Sequence, residues 1–235
     1  ATGEPFDWND ESMRSRMFIA SARDPRFART LIYNGATFKG QPVQSYVGGR
    51  NGRPLDGATP TSYYLRKHIV EATSFVTGSE MSYQHIFPFF RYAEVLLNYA
   101  EALAAATQNP DFTGMKGEVE YTLSPREALN AVRARYNMPG ITETDYAAFV
   151  KRLRNERRVE LAFEGHRFWD IRRWKIGAET TKVYGLTITP QNDGSFSYMR
   201  SVIQQRGWED RMNFYPIADA ELFKNHNLVQ NDGWK

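Results

Sequence analysis

Three glutamates and a set of arginines are the residues of this sequence whose types and spacing could support chemistry. Glu156, Glu160 and Glu164 are spaced four residues apart, which places their carboxylates on one face of a helix. Two such carboxylates could act as an acid and a base, as they do in glycoside hydrolysis. The arginines that could pair with them instead are Arg91, Arg167, Arg172 and Arg173.

The same glutamates continue an apolar stripe that begins at Phe149 and Leu153, so their side chains are predicted to point inward. A buried carboxylate needs a partner, and an excess of arginine stabilises its ionised form. Arginines therefore hold the pKa of such a carboxylate down, whereas a general acid needs a raised pKa. We therefore interpret the set as an Arg–Glu network and expect no catalytic residue, with an acid pair of Glu160 and Glu164 as the alternative.

Composition argues against several other kinds of site. The chain has no cysteine, so it has no disulfide, no Cys-ligated zinc and no thiol nucleophile. Its 4 histidines are dispersed, and His166, four residues before Asp170, is predicted to be structural rather than a catalytic base. We expect no metal and no cofactor.

The charge pattern argues against nucleic acid as a partner. The net charge is only +3, although residues 151–175 carry nine Lys or Arg and four Asp or Glu. Glutamates interrupt this basic segment, as in a salt-bridge network and unlike a nucleic-acid-binding arm. No apolar stretch reaches the ~20 residues that a membrane span needs. The first residues do not resemble a signal peptide, and we expect the chain to be a processed or trimmed piece.

Three regions of different composition must position these residues, and we expect them to form one domain over residues 1–235. They are a loop-rich region at 1–87, a helical block at 88–176 and a C-terminal hairpin with a short helix at 177–235. In the first region, the weak alternation from Phe27 to Tyr33 predicts a strand that Asn34-Gly35 would turn. In the last region, Asp193-Gly194 predicts the turn of a hairpin.

The helical block is predicted to contain paired helices of the tetratricopeptide kind. Residues 91–106 are apolar except for one polar stripe, formed by Arg91, Glu94, Asn98 and Glu101. We expect this stripe to face the arginine-rich segment. A capping box at Ser124 starts a second helix, and a third begins near Asp145. The predicted fold class is mainly α, with tetratricopeptide-like helical hairpins, loop-rich segments and short β-hairpins.

Aromatic residues outside the helices are the candidates for ligand binding. Aromatic rings stack on the apolar faces of sugars, and neighbouring polar side chains bond to the hydroxyls. The predicted stacking residues are Phe6, Trp8 and Tyr46. The predicted polar residues beside them are Asn9, Asp10, Arg50 and Asn51. The alternative is that the early aromatics form a small core beneath the loops, together with Tyr33, Phe38, Tyr63 and Tyr64.

Seven segments carry a pattern that is specific because they occur as an ordered set. They are ARDPRF at 22–27, SYYLRK at 62–67, FRYAEVLLNYAEAL at 90–103, ALNAVRARYNMPG at 128–140, RNERRVELAFEGHRFWDIRRW at 154–174, FYPI at 214–217 and LVQNDGW at 228–234. Together they resemble the C-terminal part of the SusD/RagB family over nearly the whole chain.

The resemblance implies a SusD-like protein of the outer-membrane surface, without catalytic activity, whose lipid anchor lies outside this chain. Members of the family bind oligosaccharides, or peptides in the RagB branch, and cap a SusC-like TonB-dependent transporter. The implied partners are the ligand, that transporter and the N-terminal part of the same protein. Trp8, shortly before ARDPRF, lies where members can place a stacking aromatic. A carbohydrate-active enzyme and a helical-repeat module that binds only protein are the alternatives from other classes.

Overall fold

A computed structural model gives the structure of the chain and describes residues 4–84, 86 and 88–234. The chain forms two compact units. The helical unit comprises Ala1–Ser45 and Tyr63–Ala162, and the hairpin unit comprises Tyr46–Ser62 and Phe163–Lys235. The division into three regions within one domain stays a prediction.

The helical unit contains five α-helices and three short strand pairs in its described residues. The helices are α1 (Glu11–Ser15), α2 (Arg26–Thr30), α3 (Tyr92–Thr107), α4 (Pro125–Ala134) and α5 (Tyr146–Glu160), with a 3₁₀ turn at Ala20–Ala22. The strands are β1 (Leu31–Ile32), β2 (Thr37–Phe38), β3 (Gln41–Pro42), β4 (Tyr64–Leu65), β5 (Gly114–Lys116) and β6 (Val119–Tyr121). They pair antiparallel as β1 with β4, β2 with β3 and β5 with β6.

The starts of α4 and α5 follow from their capping residues, as the sequence predicted. The Ser124 hydroxyl accepts a hydrogen bond from the Glu127 amide at 3.2 Å, and the Glu127 carboxylate accepts one from the Ser124 amide at 2.8 Å. Asp145 caps α5 by accepting a hydrogen bond from the Ala148 amide. At the C-terminal end of α3, Gln108 adopts a left-handed conformation with φ of 54°, and its backbone amide donates to the Ala104 carbonyl.

The main core lies where α3, α4 and α5 pack together. Leu97, Leu129, Phe149 and Leu153 have no exposed surface. Burying one such side chain stabilises a fold by roughly 2 kcal/mol. Smaller residues complete the cluster and allow close approach of the helices, and they include Ala93, Ala100, Ala104 and Ala128. The mainly helical class with short hairpins is therefore confirmed.

A second, aromatic core lies beneath the loops of the helical unit. Ile32, Tyr33, Ala36 and Val43 form its centre, and partly buried rings pack on them from Phe18, Phe27, Phe38, Tyr63 and Tyr64. The Phe27 and Tyr33 rings stack with centroids 4.7 Å apart. This arrangement confirms that four of the early aromatics belong to a core. The predicted strand over 27–33 is wrong in its first half, because Phe27 lies in α2 and only residues 31 and 32 pair with β4.

The hairpin unit is built around one long antiparallel pair. Its elements are α6 (His166–Arg173), β7 (Lys182–Pro190), β8 (Phe196–Gln205) and α7 (Asp219–Lys224), with 3₁₀ turns at Gly177–Thr180 and Asp210–Asn213. The hairpin predicted around Asp193-Gly194 and the short helix after Asp219 are both present. The strands are longer than the sequence indicated, with pairs from Pro190↔Phe196 to Lys182↔Gln205.

Candidate ligand-binding surface

The predicted Arg–Glu network is present in the helical unit, and its arginines come mostly from other segments than expected. Glu156 accepts hydrogen bonds from Arg26 Nη1 at 2.5 Å and from Arg133 Nη1 at 2.7 Å. Glu160 accepts from the same Arg26 nitrogen at 2.9 Å and from Arg91 Nη1 at 2.9 Å. Glu156 and Glu160 are 2% and 3% exposed, so both are inward-pointing, as predicted.

Arg26 is the centre of this buried network, which consists of Asp24, Arg26, Arg91, Arg133, Glu156 and Glu160. Besides the two glutamates, it binds both carboxylate oxygens of Asp24, through Nε at 2.9 Å and Nη2 at 2.6 Å. Burial by itself lowers the pKa of Arg26, but the hydrogen bonds with Asp24 and the charge of Glu156 raise it above its ordinary value. Arg26 therefore stays charged and contacts all three carboxylates, whose charges it balances together with Arg91 and Arg133.

The prediction for Glu164 is wrong. Helix α5 ends at Glu160, so Glu164 does not continue its face, and it lies partly exposed in the turn that precedes α6. Two of the expected arginine partners form hydrogen bonds within α6, and Arg172 also lies over the Trp208 and Tyr215 rings. Arg173 Nε donates to the buried Asp170 carboxylate at 2.8 Å, and Arg172 Nη1 donates to the Phe168 carbonyl.

Two residues of the predicted polar stripe along α3, Arg91 and Asn98, contact α5, as predicted. Arg91 precedes the first residue of α3 and bonds to Glu160. Near the middle of α3, the Asn98 side-chain oxygen accepts a hydrogen bond from Arg157 Nη1 at 2.6 Å. The stripe therefore joins the two helices through polar contacts at the edge of an apolar core.

Phe6 and Trp8, the first predicted stacking residues, lie together in the helical unit. Their ring centroids are 6.4 Å apart, and the planes are inclined at 55°. The Arg23 guanidinium lies 4.5 Å from the Phe6 centroid, in cation–π geometry. Phe6 is 37% exposed and Trp8 is half-buried, so both rings retain surface that a ligand could contact.

The two polar residues that follow Trp8 differ in their local bonds. Asp10 caps α1, because its Oδ1 accepts hydrogen bonds from the amides of Ser12 and Met13 and from the Ser12 hydroxyl. The Ser12 hydroxyl, followed by the Met13 amide, lowers the pKa of Asp10. Asn9 is exposed, and its side chain makes no hydrogen bond with the part of the chain that the structure describes. The side-chain amide of Asn9 is therefore available to a ligand, whereas its backbone N–H donates to Asp7 Oδ1.

The remaining predicted residues belong to the hairpin unit. Tyr46 is half-buried against Phe196 of β8, with centroids 5.2 Å apart. Arg50 is exposed and Asn51 half-buried, and both lie in a loop of successive tight turns over residues 46–60. The Val47 amide anchors the start of this loop to the Ile188 carbonyl of β7 at 2.8 Å. The seven predicted residues therefore form two groups, one in each unit, and their role in binding stays a prediction.

A cleft in the helical unit was missed by the sequence reasoning. It has a volume of about 410 Å³, and its lining includes Ser21, Arg23, Arg29, Arg135, Tyr136 and Asn137. We call it the basic cleft. Its residues come from 20–29, which overlap ARDPRFART at 22–30, and from RARYNM at 133–138, two segments that are far apart in the sequence. Arginines repeated in short motifs were the available signal, but the spacing gave no reason to bring the two motifs together.

Neither a three-residue metal cluster nor a helix suited to a bilayer occurs in the described part of the chain. Over residues 4–84, 86 and 88–234, no three His, Asp or Glu side chains come together in the manner of a metal site. Within the same ranges, no helix combines the length and the apolar composition required to cross a bilayer.

Comparison with known proteins identifies a family and a curated relative that are similar to this chain. The SusD/RagB family model, described as the SusD family, matches residues 8–234. SusD-like protein P2 of Formosa agariphila is 33% identical over 146 residues, which are 60% of this chain and 24% of that protein. The chain therefore spans about a quarter of the length of this curated relative.

Two solved structures are similar over almost the whole chain. A SusD-like protein from Bacteroides fragilis is 28% identical with a TM-score of 0.73, covering 100% of this chain and 42% of that one. A SusD-like carbohydrate binding protein from the same species is 29% identical with a TM-score of 0.69, covering 97% of this chain and 45% of that one.

The packed helices and loop-rich flanks define a protein built on helical hairpins. More particularly, the match over residues 8–234 shows that the chain belongs to the SusD family. The resemblance of its ordered motifs to this family is thus confirmed.

Proposed function

We propose that this chain is part of a cell-surface protein that binds oligosaccharides without catalysis. In this proposal the protein presents its ligand to a SusC-like, TonB-dependent transporter in the outer membrane for import. The observation that carries it is membership of the SusD family, together with a similar solved structure described as a SusD-like carbohydrate binding protein.

The surface chemistry of the chain supports an oligosaccharide as the ligand. The Phe6 and Trp8 rings are partly accessible and lie beside the free side chain of Asn9. Tyr46 lies in a second group with Arg50 and Asn51. Sugar recognition commonly combines an aromatic face with nearby hydrogen-bonding groups, and both groups supply this combination.

The surroundings of Glu160 support binding rather than hydrolysis. Its carboxylate is buried and bonded to Arg26 and Arg91, and the Tyr136 hydroxyl donates to it at 3.4 Å. A general acid or nucleophile needs an accessible oxygen that can reach the scissile bond. Neither oxygen of Glu160 has this freedom, and Glu164 lies beyond the end of α5. We therefore assign Glu156 and Glu160 a role in stability.

Retention and turnover of glycans separate binding from catalysis. The purified chain is applied to an array of surface-bound oligosaccharides, and each retained glycan is then incubated with the chain and analysed for released fragments. We expect retention of at least one glycan with no release of product. Release that Glu160→Gln abolishes would support the enzyme alternative, whereas retention of peptides but no glycan would support the RagB-like alternative. The same assay with a SusC-like transporter added tests the proposed presentation of ligand.

A further inference from the structure

The basic cleft collects positive charge without acidic residues in its lining. Arg23 follows the 3₁₀ turn, Arg29 lies in the last turn of α2, and Arg135 follows α4. Asn137 adopts a left-handed conformation with φ of 53°, a conformation that asparagine tolerates better than most residues. Two segments more than a hundred residues apart in sequence thus bring three guanidinium groups to one cleft of about 410 Å³.

Two of these arginines have no partner among the described residues. Arg29 and Arg135 are exposed and make no hydrogen bond or ion pair there. Elsewhere in the helical unit, arginines bind carboxylates, as in the salt bridges of Arg66, Arg126 and Arg152. Arg29 and Arg135 therefore keep their hydrogen-bond donors for a ligand.

Arg23 is held in place and connects the cleft to the predicted stacking residues. Its guanidinium lies 4.5 Å from the ring centroids of both Phe6 and Phe27, and Nη1 donates to the Met17 carbonyl. Burial lowers the pKa of Arg23, but an arginine titrates so far above neutrality that it stays charged. Because Phe6 also contacts Trp8, the two aromatic rings lie beside the cleft within the same unit.

The carboxylates of the buried network form their hydrogen bonds with arginines outside the cleft. Asp24 directs both of its oxygens to Arg26, although its charge also acts on Arg23. Glu160 is shared by Arg26 and Arg91, and the Tyr136 hydroxyl of the lining donates to it. The three carboxylates of the buried network are matched by its three arginines, so the arginines of the cleft add net positive charge.

We propose that the basic cleft binds an anionic substituent of the ligand, namely a carboxylate or a sulfate ester on an acidic oligosaccharide. The proposal rests on the proposed glycan-binding function and specifies the class of glycan. Guanidinium groups present paired N–H donors that match the oxygens of carboxylates and sulfates. The free Asn137 side chain supplies a further donor, and Phe6 and Trp8 offer apolar faces to an adjoining sugar ring.

The test compares charged sugars with matched neutral ones by titration calorimetry on the 235-residue chain. The carboxylate arm uses tetragalacturonate and its full methyl ester, which removes the charge and keeps the rings. The sulfate arm uses a sulfated carrageenan tetrasaccharide and its desulfated form. We expect the charged member of at least one pair to bind about tenfold more tightly than its neutral partner, since a hydrogen bond to a charged group has that effect.

Single substitutions locate the effect in the cleft. We expect Arg29→Ala and Arg135→Ala each to weaken binding of the charged sugar by about tenfold and to leave the neutral sugar unchanged. Arg158→Ala is the matched control, because Arg158 is an exposed arginine of α5 that does not line the cleft. Thermal unfolding of every variant checks that the fold is retained.

The possible outcomes separate this inference from the proposed function. Equal affinity for the charged and neutral sugars overturns the basic cleft as an anion site and leaves glycan binding intact. If Arg158→Ala weakens binding of the charged sugar as much as the cleft variants do, the anion site is overturned as well. The attraction would then come from surface charge in general and not from the cleft. Tetraglutamate is titrated as an acidic peptide for comparison, and binding of this peptide but of no sugar overturns both proposals. If Arg135→Ala weakens binding of tetragalacturonate, the site takes a carboxylate. If it weakens binding of the sulfated tetrasaccharide, the site takes a sulfate.

Discussion

Arg26 and Glu156 are 130 residues apart in sequence and form a hydrogen bond of 2.5 Å between two nearly fully buried side chains. Arg26 begins α2, and Glu156 lies in the last two turns of α5. The pair therefore fastens the segment that carries Phe6, Trp8 and one side of the basic cleft to the helical core. Positioning of the candidate ligand surface depends on this connection.

Removal of the Glu160 carboxylate should strongly destabilise the helical unit. We expect Glu160→Ala to reduce the free energy of unfolding by about 3 kcal/mol, because it leaves Arg26 and Arg91 without a charge that they share. Urea unfolding followed by circular dichroism measures the change. Glu118→Ala is the control, since Glu118 is exposed in the turn between β5 and β6. Equal stability of the two variants would mean that the network contributes little.

Asp24 should make stability depend on pH in the acid range. Burial raises the pKa of Asp24, but its hydrogen bond and charge interaction with Arg26 outweigh burial and leave the pKa below 3.8. A carboxylate with a depressed pKa stabilises the fold above its unfolded pKa, and this contribution is lost as the pH falls through the folded value. We expect Asp24→Asn to be less stable than the parent at pH 7, with the difference shrinking below about pH 4. Urea unfolding across that range measures it, and a difference independent of pH would contradict this assignment.

Gly177 should not tolerate a side chain in the hairpin unit. A Cβ built on Gly177 would lie 1.8 Å from Trp208 Cε2, so the indole ring occupies the space that alanine needs. We expect Gly177→Ala to cost about 2 kcal/mol of stability, through overpacking. In a Trp208→Ala background the same substitution should cost much less, which a double-mutant cycle of thermal unfolding tests. An undiminished cost in that background would show that the indole ring is not the cause.

Trp8 should contribute to glycan affinity if the proposed function is right. We expect Trp8→Ala to weaken binding of the parent's preferred glycan by about 1 to 3 kcal/mol, because the burial of a stacked ring would be lost. Phe75→Ala is a matched control, since Phe75 is an aromatic residue with 89% exposure outside the predicted set. Thermal unfolding of both variants is measured in parallel. Unchanged affinity for Trp8→Ala would remove this residue from the site.

The helices could be predicted from the sequence because their signals are local. The capping box at Ser124, the cap at Asp145 and the apolar spacing of α3 each involve residues within a few positions of one another. The end of α5 was misjudged because nothing in the sequence after Glu160 resembles a helix stop before Gly165. Continuing the four-residue spacing as far as Glu164 was therefore wrong.

The candidate site could be predicted only in part, because it depends on contacts between distant segments. The carboxylates of Glu156 and Glu160 were expected to bind arginines, but Arg26 and Arg133 were not identified. An ion pair leaves no periodic pattern when its partners are separated by a hundred residues. The convergence of Arg29 and Arg135 was missed for the same reason.

The bond between Arg26 and Glu156 also bears on how the chain is made. A ribosome adds roughly 5 to 20 residues per second, so Glu156 follows Arg26 out of the exit tunnel by on the order of 10 s. During that interval Arg26 has neither glutamate available, and the nascent segment around Phe6 and Trp8 cannot yet dock on the later helix. The ligand-facing part of the helical unit therefore matures only after α5 has been synthesised, although its own residues emerge well before that helix.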